Sequence, residues 1–155
     1  MAPSVADNVE MLLLGGDTKL VLFAWHIEVL NILCERLARY GVVRIDGSTP
    51  PAKRDFNVKQ FINNPDVNII VGNMQSMGVG TDGLQLVSNH ALICEPDWAP
   101  ANNVQAFDRL NRGGQARSVQ GDILVAPGSI AERVLSSALR KLHTTHKALD
   151  AQYGE

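Results

Sequence analysis

The sequence has few cysteines, few aromatic residues and almost no excess of charge of either sign. Its two cysteines, Cys34 and Cys94, lie far apart in apolar stretches, without the CxxC motif or Cys/His cluster typical of metal sites. We expect both to be reduced residues of the core. The net charge of −2, from 14 Lys and Arg against 16 Asp and Glu, gives no argument for binding a polyanion through bulk charge, so a basic site has to be local.

Long hydrophobic runs are absent as well. The longest apolar stretches, such as Leu20–Trp25 and Met11–Leu14, fall far short of the roughly 18 residues that a membrane-spanning helix needs. The N-terminus carries Asp7 and Glu10 but no early basic residue, unlike a signal or transit peptide. These absences predict no membrane segment and an intracellular location, in the cytoplasm or in the nucleoid or nucleus, rather than secretion.

What the sequence does contain is an ordinary globular composition of 45% apolar and 19% charged residues, in a length of 155 residues that suits one domain. Short apolar runs alternate with stretches in which apolar residues recur three or four positions apart, which predicts alternating strands and helices. The strands are predicted over Lys19–Ala24, Val42–Ile45, Val67–Val71, His90–Cys94 and Gln120–Val125. The helices are predicted over Ser4–Leu14, His26–Tyr40, Pro50–Asn63, Pro100–Arg112 and Ser129–Ala148.

This alternation predicts an α/β fold, because crossovers long enough to hold a helix join parallel strands. Helices then cover both faces of a doubly wound sheet, and ligands bind at the carboxyl edge of the strands. Gly41 is predicted to end the second helix in a left-handed conformation.

The predicted helix Pro100–Arg112 has two opposed faces when its residues are placed at about 100° per step. One face is apolar and the other polar: Val104, Phe107 and Leu110 against Gln105, Arg109 and Arg112. Two guanidinium groups held side by side suit a phosphate, because their planar donor forks match its oxygens and keep their charge. The alternative is a solvated helix face on which the two arginines bind nothing.

A glycine-rich loop follows the third predicted strand. Residues Gly78–Gly83 match the pattern G-x-G-x-x-G of dinucleotide-binding folds, but Asn73–Met77 separate the loop from its strand and too few residues follow for an ordinary helix. The dinucleotide interpretation is therefore disfavoured. The loop retains Asp82, whose carboxylate can accept a hydrogen bond from a sugar hydroxyl or cap the next turn.

The second predicted strand ends in the turn Asp46–Thr49, which offers two hydroxyls and backbone amides to a nucleic-acid phosphate. Ser48 or Thr49 can equally serve as the N-cap of the helix that Pro50 and Pro51 open. Both interpretations stay open at the level of the sequence.

Trp98 is either a platform on which a base stacks or a core residue at the start of a packed helix. The four histidines show no partnered acid or nucleophile in the sequence, so no catalytic triad is predicted. They are His26, His90, His143 and His146.

Taken together, four segments resemble the second RecA-like lobe of superfamily-two helicases, and specifically that of the Swi/Snf-like DNA translocases. They are LVLFAWHIEVLNIL (20–33) for the fourth motif, RIDGSTP (44–50) after it, GNMQSMGVGTDGLQL (72–86) for the fifth and EPDWAPANNVQAFDRLNRGGQ (95–115) for the sixth. Order and spacing agree from about Lys19 to Leu135. The sixth motif is the most specific, since DW-x-P followed by QA-x-DR-x-x-R-x-GQ is seldom met outside this family.

The resemblance implies a RecA-like three-layer α/β domain with a mainly parallel sheet and helices on both faces. It implies one helicase C-terminal lobe over residues 1–155, with residues 1–18 as an N-terminal helical lead-in and residues 129–155 as a C-terminal helix.

The resemblance also implies nucleotide-binding roles. In this family ATP binds between two lobes, and the second lobe supplies arginines that stabilise the charge on the γ-phosphate. That role falls to Arg112, supported by Arg109, with Gln105 as polar support at the same seam. Asp82 and Gly80 belong to the fifth-motif loop that approaches the nucleotide sugar and couples it to the DNA-binding edge.

A contact with DNA is implied at Gly47, Ser48 and Thr49, which match residues that touch the backbone of the tracked strand of double-stranded DNA. Such a contact depends on shape and charge more than on base sequence. Asn73 and Met74 depart from the Ser-Thr pair usual in the fifth motif, and the thioether of Met74 cannot donate a hydrogen bond to phosphate.

The sequence has no G-x-x-x-x-G-K-[ST] phosphate loop and no acidic pair after an apolar strand that would hold Mg²⁺. In the family both belong to the first lobe, which would hold most of the ATP and Mg²⁺. The sequence therefore predicts half of an ATP-dependent translocase, inactive without an N-terminal RecA-like lobe in the same longer chain or in a separate subunit.

The alternative is a non-catalytic module that keeps the lobe's fold and binds a nucleic acid or a protein. Departures from the fifth and sixth motifs favour it slightly. In the sixth motif, Asn111 replaces a usual histidine and Gly113 a usual aliphatic residue.

Overall fold

Five short strands and the helices between them make up most of the domain. The computed structural model describes residues 2–78, 81–125, 128–130 and 132–141. The strands are β1 (Leu20–Phe23), β2 (Val42–Ile45), β3 (Ile69–Gly72), β4 (His90–Ile93) and β5 (Gln120–Ile123). The helices are α1 (Ala2–Leu14), α2 (Ile27–Arg36), α3 (Pro51–Asn63) and α4 (Pro100–Asp108), and residues 132–141 are helical as well.

The strands form one parallel sheet in the order β2-β3-β1-β4-β5. β1 lies at the centre, paired with β3 on one side and with β4 on the other. Each predicted strand is present, with its ends within two residues of the expected positions. The predicted parallel α/β fold is therefore confirmed.

Alternate residues of the strands pack under helices on opposite faces of the sheet. On β1, Leu20 and Leu22 pack with residues of α1 and α2, whereas Val21 and Phe23 pack with residues of α3 and α4. Successive side chains of a strand point to opposite faces, so a strand that is buried throughout has to be covered on both sides. This arrangement gives the expected three layers.

α1 is part of the core rather than an appendage. Val5 and Val9 are buried in the same apolar cluster as Leu30 and Leu33 of α2. Burial of each such side chain contributes about 1.5–3 kcal/mol to stability. The helical lead-in therefore belongs, with α2, to the helical layer on one face of the sheet.

Gly41 has the backbone that the sequence predicts. α2 ends at Arg36, and a 3-10 turn over Ala38–Tyr40 leads to Gly41, whose φ is +75°. This angle lies in the region that residues with a β-carbon rarely adopt. The predicted positive φ is confirmed, but Gly41 ends the 3-10 turn, and the prediction that it ends the second α-helix is wrong because α2 stops at Arg36.

α4 ends at Asp108, so the prediction that it extends to Arg112 is wrong. The backbone amides of Arg109 and Leu110 bond to carbonyls three residues back, a tightening that is common where an α-helix stops. The side-chain amide of Gln115 then donates to the Leu110 carbonyl at 3.1 Å. Side-chain bonding to this carbonyl replaces the backbone bond that a continuing helix would make.

The C-terminal helix predicted over Ser129–Ala148 is present in part. Residues 132–141 are helical, with Val134 and Ala138 buried, and residues 142–148 lie outside the described residues. Of the helices in the described ranges, none combines the length and the apolar character needed to cross a membrane.

Cys34 and Cys94 are both free, as predicted. Cys94 is buried and Cys34 half-buried, and loss of hydration raises the pKa of each thiol above its ordinary value. Because the thiolate is the reactive form, both positions favour packing over chemistry.

Candidate functional site

A polar cavity of about 360 Å³ lies at the carboxyl edge of the sheet, between the ends of β1 and β3 and one side of α4. Loops that follow parallel strands meet at this edge, which is where α/β folds bind ligands. Two predicted site residues, Gln105 and Arg109, line the cavity together. Its other lining residues include Trp25, Met74, Gln75, Gly78, Asp97 and Asn102.

Arg109 lies against the loop that follows β3. A β-carbon placed on Gly78 would stand 3.3 Å from Nη2 of Arg109, closer than most side-chain contacts allow. The guanidinium of Arg109 and the backbone of Gly78 therefore lie close together. This contact connects the predicted fifth and sixth motifs through the first glycine of the G-x-G-x-x-G pattern.

The apolar face predicted for α4 is partly wrong. Val104 is 50% exposed, while Asn103, Ala106 and Leu110 are buried. Asn103 is buried because its side-chain amide bonds to both the backbone amide and the carbonyl of Asp97, at 2.8 and 3.0 Å. A polar side chain that is fully hydrogen-bonded can occupy a buried face at little cost.

Arg112 lies beyond the end of α4, so the helical face that it was predicted to share with Arg109 is absent. Nη1 of Arg112 instead donates to Oδ1 of Asp82 at 2.5 Å. Asp82 belongs to the same loop as Gly78, so both arginines contact the loop after β3. The two predicted arginines are therefore linked through this loop rather than through a helix.

Asp82 is 85% exposed and does not cap the next turn. The 3-10 turn that follows has Gly83 at its N-cap, without a side-chain cap bond. The capping alternative is therefore wrong, and the carboxylate makes an ion pair that the sequence did not reveal. Gly80, the other predicted residue of this loop, lies outside the described residues.

The turn at Gly47, Ser48 and Thr49 is held by Asp46. Oδ1 of Asp46 accepts from the backbone amide and the hydroxyl of Ser48, at 2.8 and 2.6 Å, and the hydroxyl of Thr49 accepts from the backbone amide of Asp46 at 3.0 Å. The hydroxyl of Ser48 lowers the pKa of Asp46, mainly by donating to its carboxylate. Neither hydroxyl caps α3, whose N-cap is Pro50, so the capping alternative is wrong here too.

Glu95, just after β4, fixes the start of α2. Its Oε2 accepts from the backbone amides of Trp25 and His26 at 2.7 and 2.9 Å, and its Oε1 contacts Nδ1 of His26 at 2.7 Å. A carboxylate at the amino end of a helix is stabilised by the unpaired amides there. The role of Glu95 was not predicted from the sequence, although its position directly after the predicted buried strand His90–Cys94 was a usable signal.

The hydrogen bond and charge of Glu95 raise the pKa of His26, whose side chain is 74% exposed. A histidine whose pKa is higher in the folded than in the unfolded protein stabilises the fold fully at pH values below its unfolded-state pKa. This stabilisation is lost as the pH rises through the folded-state pKa. We expect the stability difference between wild type and His26→Ala to shrink from about pH 5.5 to about pH 8.5, by less than about 1 kcal/mol because the pair is exposed. Urea unfolding of both proteins at the two pH values measures it. A difference that grows with pH would contradict the expectation.

An apolar cavity of about 570 Å³ adjoins the polar one, and Trp25 and Asp97 line both. Trp98 lines the apolar cavity with Ile130 and Val134 and is 52% exposed. The core alternative for Trp98 is therefore wrong.

His90 has two acidic partners, so the expectation that no histidine is paired with an acid is wrong. Its Nε2 lies 2.6 Å from Asp122 of β5, and its Nδ1 lies 3.2 Å from Asp17, which precedes β1 at the amino edge of the sheet. These contacts join residues distant in sequence and lie opposite the polar cavity. His143 and His146 lie outside the described residues.

The polar cavity fits a phosphate better than a metal ion. Arg109 offers a guanidinium and Gln105 an amide, whereas the carboxylate of Asp97 already accepts from Ala99 and Asn102, both at 2.8 Å. Across the described ranges, no group of three His, Cys, Asp or Glu side chains is arranged to hold a metal. The guanidinium of Arg109 and the amide of Gln105 suit the oxygens of a phosphate group.

Comparison with known proteins identifies the family to which the chain is similar. Residues 5–114 match the family described as the helicase conserved C-terminal domain. The chain is 32% identical over 153 residues to the DNA annealing helicase and endonuclease ZRANB3 of Mus musculus, covering 97% of this chain and 14% of that protein. It is 36% identical over 140 residues to the DNA repair and recombination protein RAD54-like of Drosophila ananassae, covering 88% of this chain and 17% of that protein.

Among solved structures, the chain is similar to the C-terminal part of the Fun30 ATPase domain. The TM-score is 0.77 at 28% identity, over 85% of this chain and 44% of that one. The chain thus spans less than a fifth of the length of the two relatives and less than half of the Fun30 chain. The family match over residues 5–114 includes the loop after β3, the whole of α4 and both arginines.

Proposed function

Because the chain belongs to the helicase conserved C-terminal domain family and is related to Swi/Snf-like proteins, we propose that it is the second lobe of an ATP-dependent double-stranded-DNA translocase. A first lobe, in the same longer chain or in a separate subunit, would carry the phosphate loop and the Mg²⁺ carboxylates. The proposal includes an intracellular location, because its substrate is DNA.

Two contacts of the loop after β3 carry the proposal: Gln105 and Arg109 line the cavity beside this loop, and Arg112 bonds to Asp82 within it. ATP supplies a γ-phosphate on which negative charge increases during transfer. The guanidinium of Arg112, supported by that of Arg109, stabilises this charge, and Gln105 adds an amide at the same seam. The sugar contact implied for Asp82 and Gly80 stays a prediction.

The turn at Gly47, Ser48 and Thr49 is proposed to contact the DNA backbone. Gly47 and Ser48 are exposed, and the internal bonds of the turn hold it in one shape before DNA arrives. Nε of Arg44 lies 2.7 Å from Oδ2 of Asp46, which offsets the charge that would otherwise repel a phosphate. A preformed, charge-balanced turn suits recognition of backbone shape.

The test joins this chain to a Swi/Snf-like first lobe and measures ATP hydrolysis with and without double-stranded DNA. We expect no hydrolysis by the chain alone and DNA-stimulated hydrolysis by the joined protein, because the phosphate loop and the arginines then face one nucleotide. The non-catalytic alternative predicts weak, salt-sensitive DNA binding by the chain alone and no effect of the added lobe. Absence of DNA-stimulated turnover in a folded joined protein would contradict the proposal.

A further inference from the structure

The segment after α4 is held by the loop after β3 at several points. Side chains from each segment bond to the other: Gln85 to the Gly113 carbonyl at 3.2 Å, Gln115 to the Ser88 carbonyl at 2.8 Å and Arg117 to the Val87 carbonyl at 3.2 Å. The ion pair between Asp82 and Arg112 is the charged member of this set. Contacts with residues 82–88 therefore hold residues 112–117 in place beside the loop after β3.

Arg112 needs such a support because the helix has already ended. An arginine within a helix has its backbone fixed by the hydrogen bonds of the turn, whereas Arg112 lies in an irregular segment followed by Gly113 and Gly114. Its guanidinium has five N–H donors, of which the Asp82 contact uses one on Nη1. A phosphate can therefore bind the same guanidinium without displacing Asp82.

We propose that Asp82 is a positioning residue that orients Arg112 toward the γ-phosphate and does not itself touch the nucleotide. The inference rests on the proposed function, since it acts through the role given there to Arg112. It differs from the sugar contact implied by the family resemblance. Oδ1 of Asp82 accepts a hydrogen bond from the guanidinium of Arg112, so the carboxylate charge acts on the arginine and not on the nucleotide sugar.

The two roles of Asp82 predict different kinetics in the joined protein. A positioning residue affects mainly the transition state, so Asp82→Asn should lower kcat by roughly tenfold, with KM for ATP changed less than about twofold. Asp82→Glu should recover most of the loss, because it keeps the charge that orients Arg112. A sugar contact would instead raise KM and reduce the preference for ATP over 2′-deoxy-ATP and 3′-deoxy-ATP.

The experiment measures kcat and KM of the joined protein for ATP and both deoxy analogues, in wild type, Asp82→Asn, Asp82→Glu and Arg112→Ala. Asp55→Asn is the matched control, because Asp55 makes an exposed ion pair with Lys59 on α3, at 2.9 Å. We expect the control to keep wild-type kcat and KM. The preference for ATP over the deoxy analogues should be the same in Asp82→Asn as in wild type.

Three results would overturn the inference. In the first, Arg112→Ala abolishes turnover but Asp82→Asn keeps wild-type kcat. In the second, Arg112→Ala abolishes turnover and Asp82→Asn removes the preference for ATP over the deoxy analogues. In both cases Asp82 does not position Arg112, and the proposed function stands. In the third, Arg112→Ala leaves turnover unchanged, and the role of the arginine fails together with that of Asp82.

Discussion

Replacing Arg112 with alanine is expected to lower the ATP turnover of the joined two-lobe protein by roughly 10³-fold or more, while DNA binding persists. The guanidinium would stabilise negative charge on the γ-phosphate in a site that excludes water, where such an interaction is much stronger than in solution. DNA binding persists because the turn at residues 47–49 lies at the end of another strand, β2. Steady-state ATPase rates and DNA-binding titrations of matched proteins measure the two effects.

Arg36→Ala is the matched control for this substitution. Arg36 also donates to an exposed aspartate, Asp7 at 3.0 Å, but it lies on α2, and its bond to Asp7 of α1 joins the two helices on the opposite face from α4. We expect its turnover to stay near that of the wild type. Arg112→Lys should recover only part of the loss, since a lysine keeps the charge but lacks the planar fork. Unchanged turnover in a folded Arg112→Ala protein would refute the role given to this arginine.

The fold follows from sequence patterns that act over short distances. The run at 20–23 is apolar at every position, as expected of a central strand buried on both faces, and β1 is that strand. Gly41 lies between the 3-10 turn and β2, and Pro51 is the first residue of α3. Local conformational preference and burial point to the same structure in these places, which is why the strands are predicted closely.

The site is less predictable because its contacts join residues far apart in sequence. Glu95 bonds to His26, and Arg112 bonds to Asp82, across 69 and 30 positions respectively. A helical wheel assumes that the helix continues, and it cannot include the bond from Gln115 to the Leu110 carbonyl beyond the end of α4. The wheel therefore placed Gln105 and Arg109 together, and both line one cavity, but it misplaced Arg112, which bonds to Asp82 instead.

Buried polar residues limit prediction in a second way. Asn103 occupies a buried position on α4 while Val104 is exposed, the reverse of what hydrophobicity predicts. The reason is its pair of bonds to the backbone of Asp97, six residues earlier in the chain. A sequence pattern ranks residues by their cost of burial, but this cost falls once a specific partner is in place.

Replacing Gly41 with alanine is expected to destabilise the domain by about 3 kcal/mol or more. Two costs add at this position. The φ of +75° disfavours any residue with a β-carbon, and that β-carbon would stand 1.8 Å from the carbonyl oxygen of Asp66 and 2.9 Å from the α-carbon of Val67. Both neighbours are backbone atoms, so they cannot move aside as a side chain would. The shift in the midpoint of urea unfolding measures the loss.

Gly16→Ala separates the two costs. Gly16 also has a positive φ, +114°, but a β-carbon there meets no atom within 4 Å. Its alanine variant should therefore lose only the conformational part, about 1–2 kcal/mol. Equal losses in the two variants would show that the segment around Asp66 yields to the new methyl group. A larger loss for Gly41→Ala would locate the difference in the contact with the backbone before β3, where the Gly41 carbonyl accepts from the amides of Asn68 and Ile69.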